Sequence, residues 1–187
     1  MAKRKLVDAK EDRRIGRTRN TLVGALIELL LERGWEAIGV ADLCARADVS
    51  RSTFYLHYAN KEELLESGFA SLTLAIRAAP CGRPPCAGGR LVFVEGLSDH
   101  IFDNRRTFLA IIGANGSGIV REKFRQLLLK MISEDLAMIG SFDAATAHFL
   151  SGGFVALAAH LLAAKSSRAQ DLADEFHRCS ERLLAKT

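Results

Sequence analysis

Hydrophobic residues recur at intervals of three and four along most of the chain, which is the spacing of helices with one buried face. The first such segment is predicted to begin near Asp12 or Thr18 and to end at Gly34, since glycine commonly stops a helix. Its hydrophobic positions are Ile15, Leu22, Leu26, Leu29 and Leu30. All three prolines lie within residues 80–89, which leaves the rest of the chain open to helix formation. The pattern therefore predicts an all-α protein.

Two short amphipathic segments follow the first helix. The sequence VADLCARA, residues 40–47, gathers its apolar residues on one face and predicts a helix of only two turns. Ser50 is suited to be the N-cap of a second short helix that runs to about His57. Asp48 and Val49 form the break between them. Two short helices joined by a tight turn are the helix-turn-helix arrangement, whose second helix enters the major groove of DNA.

A longer helix is predicted after this pair. Asn60 and Glu63 form a capping-box pattern, and apolar residues then repeat at helical spacing to about residue 78. The cluster PCGRPPCAGG, residues 80–89, predicts a surface loop. The apolar run Val92–Val94 leaves a strand open as an alternative, and GANGSG, residues 113–118, is interpreted as a helix boundary. Further helices, for about nine in all, are predicted near residues 90–103, 105–113, 118–139, 142–165 and 167–186.

The formal charge of +4 is confined to the first third of the chain. Residues 1–61 contain twelve Lys and Arg against eight Asp and Glu, whereas residues 62–187 contain fourteen of each. A basic end on a neutral body indicates an anionic partner, with nucleic acid and a membrane surface as the usual choices. An ordinary solvated basic tail is the alternative interpretation.

Secretion and membrane insertion are not expected. Residues 1–20 are charged throughout and lack the apolar core of a secretory signal, so a cytoplasmic location is predicted. Residues 144–164 contain no charged side chain and are long enough to raise the question of a membrane span. Ten of these positions are Ala or Gly, however, and His148, Ser151 and His160 interrupt them, which favours a buried helix.

The second short helix has the chemistry of a DNA-binding surface. Its first turn is predicted to reach base edges and contains Ser50, Arg51, Ser52 and Thr53. Arginine is the side chain best able to bridge guanine O6 and N7. Residues that donate hydrogen bonds or carry charge are predicted to hold phosphates, namely Tyr55, His57 and Lys61. A core role for Tyr55 and His57 and an ordinary surface role for Arg51 are the alternatives.

The run ADLCARADVSRSTFYLHYANKEELL, residues 41–65, resembles the TetR family of bacterial transcriptional regulators. The resemblance extends over residues 18–65 and implies an N-terminal helix-turn-helix domain on a helical C-terminal domain. It also implies that Tyr55, His57 and Lys61 hold phosphates and that Arg51, Ser52 and Thr53 lie in or beside the groove. Tyr58 takes a position usually held by a buried Phe, so it is assigned to packing with its hydroxyl at the edge.

Three positions depart from the family pattern. Gly39 stands where Ser or Thr usually caps the second helix, which weakens that cap by only a few tenths of a kcal/mol. Cys44 replaces a small Ala where the two short helices are expected to touch. Asp48 replaces the turn glycine at a position that often needs φ > 0, which Asp tolerates better than most residues. None of the three removes a predicted DNA contact.

The C-terminal two thirds are predicted to dimerise. Residues 1–60 are assigned to the DNA-binding domain and residues 61–187 to an effector-binding and dimerisation domain, with the helix at 61–78 connecting them. Small residues on the eighth helix and a repeat on the ninth predict a four-helix bundle between two subunits. The predicted interface residues are Gly152, Ala156, Ala159, Ala163, Leu172, Phe176 and Leu183. Core packing within one subunit is the alternative.

The predicted function is that of a homodimeric repressor released from a palindromic operator by a small apolar or amphipathic effector. Candidate effector-binding residues, chosen for size on expected inward faces, are Phe93, Leu97, His100, Phe108, Met131 and Phe149. Motifs such as G-x-S-x-G and H-E-x-x-H are missing, so no enzymatic activity, cofactor or metal is expected. Control by a protein partner, or thiol or metal sensing by Cys81 and Cys86, are the alternatives.

Overall fold

The structure is a computed structural model that describes residues 2–78, 90–113, 116–140, 143–164 and 166–184. Within these residues the chain forms nine α-helices, a 3-10 turn at Trp35–Ala37 and no strand, which confirms the all-α prediction. The helices are α1 (Ala2–Arg33), α2 (Val40–Ala47), α3 (Arg51–His57), α4 (Lys61–Ala78), α5 (Val94–Asp103), α6 (Arg105–Ile112), α7 (Gly118–Ile139), α8 (Ala144–Ala163) and α9 (Ala169–Leu184).

The chain divides into two compact units, Met1–Gly68 and Phe69–Thr187. The helix α4 contributes its first turns to the N-terminal unit and the rest to the C-terminal unit. The functional domain boundary expected at residue 60 stays a prediction.

The first helix is longer than its hydrophobic pattern predicts. It begins at Ala2 rather than near Asp12 or Thr18, because the residues before Ile15 are mostly Ala, Lys, Arg, Glu and Asp. Most of these types have good helix propensity, so the helix extends beyond the part that has apolar periodicity. Its end is predicted correctly, since Gly34 adopts φ 73° and ψ 167° and breaks the helix.

The N-terminal unit is built around a core shared by its first three helices. From α1, Leu22, Leu26 and Leu29 are buried, and α2 packs against α1 while α3 packs against α2. Leu43 of α2 and Phe54 of α3 are both completely buried. Burial of these large apolar side chains, each contributing about 1.5–3 kcal/mol, holds in place two helices that are too short to be stable alone.

The turn between α2 and α3 has the geometry expected from the sequence. Asp48 adopts φ 52° and ψ 48°, the one left-handed residue other than glycine in the part of the chain that the structure describes. The amide of Val49 donates to the carbonyl oxygen of Cys44 at 3.0 Å. At the other end of α2, Gly39 has no side chain to cap the helix, but its own amide donates to Oδ2 of Asp42 at 2.8 Å. The two departures from the family pattern at Gly39 and Asp48 are therefore tolerated by the local backbone geometry and hydrogen bonds.

The C-terminal unit packs α7 against α8, α5 against α9 and α6 against α8. A chain of aromatic contacts runs through this core. Phe124 lies 5.7 Å from Phe69 and 5.5 Å from Phe108 between ring centroids, and Phe154 lies 5.0 Å from Phe176. Such edge and tilted ring pairs fix the relative positions of the helices more specifically than aliphatic packing does.

The strand alternative at Val92–Val94 is wrong. Residues 92 and 93 form a turn and Val94 begins α5, four residues later than the predicted start at residue 90. Phe93 and Val94 are buried at this helix start. A short apolar run has the same appearance in a buried strand and in a buried helix end, so its periodicity could not distinguish the two.

A buried carboxylate joins three segments of the C-terminal unit. Asp135 on α7 has no exposed surface, and its Oδ1 accepts from the guanidinium of Arg77 on α4 at 3.0 Å. Its Oδ2 accepts from the amide of Val92, which precedes α5, at 2.7 Å. Arg77 also pairs with Glu134 at 2.9 Å. Because a buried carboxylate must keep its partners to remain charged, this junction holds the end of α4 against α7.

Two further expectations concern α8 and residues 80–89. Within the described residues, α8 is the one helix long and apolar enough to cross a membrane, by length and composition alone. One of its faces nevertheless packs into the unit, since Ala147, Leu150, Phe154 and Leu162 are buried. The predicted loop at residues 80–89, with Cys81 and Cys86, lies outside the described residues.

Candidate nucleic-acid interface

The start of α3 is fixed by a cluster of hydroxyls. Oγ of Ser50 accepts from the amide of Thr53 at 3.1 Å, which confirms Ser50 as the N-cap. The same oxygen lies 2.8 Å from Oγ of Ser52 and 2.8 Å from Oγ1 of Thr53. These three hydroxyls share hydrogen bonds with one another and with the helix end, so they occupy defined positions before any partner arrives.

Only one side chain of α3 is fully buried. Phe54 anchors the helix, with ring contacts to Tyr55 at 5.5 Å and Tyr58 at 5.9 Å. On the other side, Arg51 and Ser52 are exposed and Tyr55 is 58% exposed. The described residues include no ion-pair partner for Arg51, so its guanidinium is available to an external acceptor.

Leu56 is a surface residue that the sequence interpretation did not include. Its side chain is 79% exposed although leucine is usually buried. Leu56 follows Phe54 by two positions, which places it about 200° around the helix from the buried side. Its position relative to Phe54 could therefore have predicted its exposure from the sequence. An exposed apolar group here can contact the methyl group of thymine.

Lys61 at the start of α4 has a structural role in addition to any role with DNA. Its Nζ donates to the carbonyl oxygens of Trp35 and Ile38, each at 3.0 Å, and lies 4.4 Å from the Trp35 ring centroid. An ammonium group has three donors, so one N–H remains for a phosphate. Sequence reasoning missed the two carbonyls because they lie more than twenty residues earlier in the chain.

Tyr58 and the cap of α4 complete this surface. Tyr58 is buried and its hydroxyl lies 3.1 Å from Oγ of Ser67, which confirms its predicted packing role. Oδ1 of Asn60 accepts from the amide of Glu63 at 2.8 Å, as the capping pattern predicts. The Glu63 carboxylate differs from that pattern, since it accepts from the amide of Ala59 at 2.7 Å rather than from that of Asn60.

His57 is half-buried, with its ring 6.3 Å from that of Tyr58.

Arg46, unlike Arg51, is neutralised by described residues of the N-terminal unit. Arg46 on α2 forms a two-pronged hydrogen bond with Glu32 at 2.8 and 2.7 Å and also contacts Glu28 at 3.1 Å. The hydrogen bond from Arg46 lowers the pKa of Glu32. Burial raises the pKa of the Cys44 thiol, so this cysteine stays protonated and serves packing. Arg51 thus differs from Arg46 in having no carboxylate partner within the described part of the unit.

The predicted effector residues are not all together in the core. Phe93, Leu97, Phe108 and Met131 are buried, as expected. His100 is half-buried with its ring 5.8 Å from that of Phe108, and burial lowers its pKa so that it is neutral at pH 7.

The assignment of Phe149 to the effector site is wrong, because this residue is 70% exposed on α8 and does not lie on an inward face. The buried residues of α8 include Ala147, Leu150 and Phe154, and Phe149 falls outside that register. The prediction used the size of Phe149 and not its register.

The predicted dimer residues also separate into two groups. Leu172 and Phe176 are buried in the core of one chain, where their side chains have no surface left for a partner. Packing within one subunit, the alternative interpretation, accounts for these two. The outward side of α8 and α9 retains Ala156, Ala163 and Leu183 as exposed residues, with Gly152 and Ala159 partly exposed. The interface prediction therefore rests on these five residues.

A metal site is not formed by the described residues. No group of three His, Cys, Asp or Glu side chains within them is placed to hold an ion. The thiol of Cys44 is buried and that of Cys179 is exposed, and neither forms a disulfide.

Comparisons with known proteins agree with this geometry. The family model for bacterial regulatory proteins, tetR family, matches residues 22–67. A relative described as the uncharacterized HTH-type transcriptional regulator YxbF of Bacillus subtilis (strain 168) is 44% identical over 57 residues, which are 30% of this chain and 15% of the relative. The chain thus spans only a small part of that relative's length.

Solved structures show that the likeness extends over the whole fold. A TetR transcriptional regulator from Streptococcus agalactiae 2603V has a TM-score of 0.67 and 22% identity, covering 94% of this chain and 99% of that one. FadR of Thermus thermophilus, a TetR-family transcriptional repressor in complex with lauroyl-CoA, has a TM-score of 0.54 and 23% identity, covering 89% and 93%. At such identities the likeness establishes the arrangement of helices and not a shared ligand.

Proposed function

Because this chain carries the helix-turn-helix domain of the TetR family of transcriptional regulators, we propose that it is a homodimeric repressor released from its operator by a small-molecule effector. The observation that carries the proposal is the construction of α3. This helix is anchored by Phe54 and presents to solvent hydroxyls with defined positions, a tyrosine and an arginine that has no ion-pair partner among the described residues. Such a surface has little use within a folded chain but matches the edges and phosphates of DNA.

The proposed DNA contacts divide into two kinds. Arg51, with Ser52 and Thr53 beside it, reads base edges in the major groove, while Leu56 packs against a thymine methyl group. Tyr55, His57 and the remaining N–H of Lys61 hold phosphates on either side. Ser50 acts mainly through its cap, since its hydroxyl already has partners on the first turn of α3. The first kind sets sequence preference, and the second sets affinity and salt dependence.

A second copy of the chain is the proposed partner of α8. The inward face of α8 fills the unit's own core, whereas its exposed residues are mostly Ala and Gly, together with Phe149, His148 and His160. An apolar outward face on a helix without charged side chains is poorly suited to water and well suited to close helix packing. A two-fold dimer would present two copies of α3 to half-sites about 34–36 Å apart, which predicts a palindromic operator.

The proposed effector site is the aromatic interior of the C-terminal unit. Phe93, Leu97, Phe108 and Met131 supply apolar surface there, and the neutral His100 supplies a hydrogen-bonding group at its edge. An apolar or amphipathic effector suits this lining, and the binding of lauroyl-CoA by FadR of Thermus thermophilus provides a precedent on the same fold. The chain has no proposed catalytic role, and its proposed location is the cytoplasm.

Coupling between the two sites is proposed to run through α4. This helix is continuous from Lys61, beside the proposed phosphate contacts, to Arg77, which is held by Asp135 on α7. An effector that favours a different position of α7 would shift α4 and change the spacing of the two recognition helices.

Selection of binding sites from random duplex DNA tests the DNA-binding role. A palindromic consensus with two half-sites about one helical turn apart is expected, and affinity is expected to fall steeply with salt. Failure to enrich any sequence would contradict the proposal.

Once the operator is known, a second experiment tests the coupling. The affinity for the effector is measured for the free dimer and for the operator complex. The two affinities must differ by the same factor by which the effector weakens operator binding. Equal effector affinities in the two titrations would leave the DNA-binding role intact and reject the coupling.

A further inference from the structure

A charged cleft lies beside α9, and none of its lining residues belongs to the set proposed to bind the effector. Its volume is about 250 Å³. Five of its residues lie on α9 and the sixth, Arg90, precedes α5, the helix against which α9 packs. The lining residues are Arg90, Asp174, His177, Arg178, Glu181 and Arg182. Three guanidinium groups and one imidazole thus face two carboxylates.

His177, which lines this cleft, has a ring nitrogen without a hydrogen-bond partner among the described residues. The residue is only 2% exposed, and its Nε2 lies 3.1 Å from Oε1 of Glu95 on α5. Its other ring nitrogen, Nδ1, is buried and has no hydrogen-bond partner among the described residues. Buried polar atoms are rarely left without partners, because the lost hydration costs about 1–3 kcal/mol. An unpaired Nδ1 on a residue that lines a cleft therefore points to a bound group that completes the hydrogen bond.

The arginines of the cleft also have unused donors. Arg90 approaches Oε1 of Glu95 at 3.4 Å through one terminal nitrogen, while its Nε is buried and unpaired in the described structure. Arg178 pairs with Glu175, which does not line the cleft. Arg182 is exposed and forms no ion pair within the described residues. Of the two carboxylates, that of Asp174 already accepts from Gln170 at 2.8 Å.

We propose that this cleft binds a small anion that carries a carboxylate or phosphate group. Guanidinium groups bind both groups through paired N–H donors, and three of them converge here. The Nδ1 of His177 donates to the anion when the ring is protonated, or accepts from an acidic hydroxyl of the ligand when the ring is neutral. The lining contains three guanidinium groups against the two carboxylates of Asp174 and Glu181, which favours an anion over a cation. The volume limits the ligand to a small molecule.

The site does not depend on the proposed DNA-binding role, so it can be tested on the full chain without DNA. The full-length protein is titrated with inorganic phosphate and, separately, with succinate, while sodium chloride keeps the ionic strength constant. Backbone NMR signals of α9 and the ring nitrogen signals of His177 report binding. Saturable shifts with at least one probe are expected, and the probe that binds more tightly shows whether the site prefers phosphate or carboxylate groups.

Three variants make the test specific. R178Q and R182Q each remove one guanidinium from the cleft and are expected to raise the dissociation constant about tenfold or more, since a hydrogen bond to a charged group contributes that much. Both side chains are exposed, so both variants should fold, which circular dichroism checks. R106Q removes the same charge from an exposed position on α6 outside the cleft and should bind like the unmodified chain. The proposal is overturned if neither probe shifts the α9 signals, or if all three variants weaken binding equally.

Discussion

The helices α3 and α8 begin in the same way and expose opposite surfaces. The amide of Thr53 donates to Ser50 at the start of α3, and the amide of Thr146 donates to Asp143 at the start of α8, each three residues along the chain. Beyond the cap, α3 exposes arginine, hydroxyl and aromatic groups around one buried Phe54. The outward face of α8 is instead largely alanine and glycine, with Phe149, His148 and His160 also exposed.

This difference shows that the outward face of a helix indicates the chemistry of its partner better than the inward face does. Both inward faces are apolar, as folding alone requires. The outward face of α3 can satisfy phosphates and base edges, whereas the exposed Ala and Gly residues and Phe149 of α8 are better suited to exclude water against another apolar surface. If the assignments are correct, the two outward faces should respond differently to the same kind of substitution.

The largest effect is expected from Ala156→Glu, which places a charge in the centre of the outward face of α8. Burying an unpaired carboxylate between subunits costs several kcal/mol, so light scattering should show monomers and operator affinity should fall about 100-fold or more. Ala137→Glu, at an exposed position on α7, is the matched control and should remain dimeric. A dimeric and folded Ala156→Glu protein would place the interface elsewhere.

On α3, Arg51→Ala should weaken operator binding by about 1–3 kcal/mol and relax the preference at one base position. The matched control is Arg46→Ala, because Arg46 carries the same charge but is already paired with Glu28 and Glu32. Its removal should leave base preference unchanged. Competition binding with single-base operator variants measures both proteins, and an unchanged base preference in Arg51→Ala would rule out direct readout by Arg51.

Lys61→Met tests whether one side chain serves both the fold and the DNA. Methionine keeps the apolar stem near Trp35 but removes two hydrogen bonds to carbonyl oxygens, so urea denaturation should show a loss of about 1–2 kcal/mol. Operator affinity should fall equally for all sequences, with the salt slope reduced by about one. Lys61→Arg retains the charge and should keep that slope. A salt slope unchanged in Lys61→Met would restrict Lys61 to its structural role.

The smallest effect is expected on stability, when the N-cap residue Asp143 of α8 is replaced. Hydrogen bonds from the hydroxyl and amide of Thr146 lower the pKa of Asp143 below its ordinary value of 3.8. The folded state therefore favours the ionised form, and the resulting stabilisation is present above pH 3.8 and lost as the pH falls below it. Asp143→Ala should be less stable than the unmodified chain at pH 7, and the difference should shrink towards pH 3. Denaturation curves at both values measure this, with Asp143→Asn as the uncharged cap control. A difference that does not change with pH would assign the effect to helix propensity alone.

The helix ends and exposed residues of the proposed DNA-binding surface could be predicted from sequence because they depend on local features of the chain. Ser50 caps a helix that begins at the next residue, and the polar residues of α3 follow within a few positions, so spacing alone places them together. The left-handed Asp48 was likewise predictable from the turn it occupies. The start of α1 was missed because the residues before Ile15 have good helix propensity but little apolar periodicity.

The C-terminal sites could be predicted only in part, because they depend on which helices pack together. The exposure of Phe149 and the burial of Leu172 and Phe176 follow from the rotation of α8 and α9 against their neighbours. The charged cleft joins Arg90 to residues more than eighty positions later, and Lys61 reaches the carbonyl of Trp35 across twenty-six. No spacing rule relates residues so far apart, so only the folded structure brings them together.

The buried Asp135 has a consequence for engineering the protein. Its two oxygens hold Arg77 and the amide of Val92, so the chain on both sides of residues 79–89 is fastened to one side chain. Lengthening the connection between them should therefore leave α4 and α5 in place, because closing a flexible connection of twice the length costs only about 0.6 kcal/mol more in entropy. Residues 79–89 are consequently a favourable place to insert a fluorescent reporter that tests the proposed movement of α4 on effector binding.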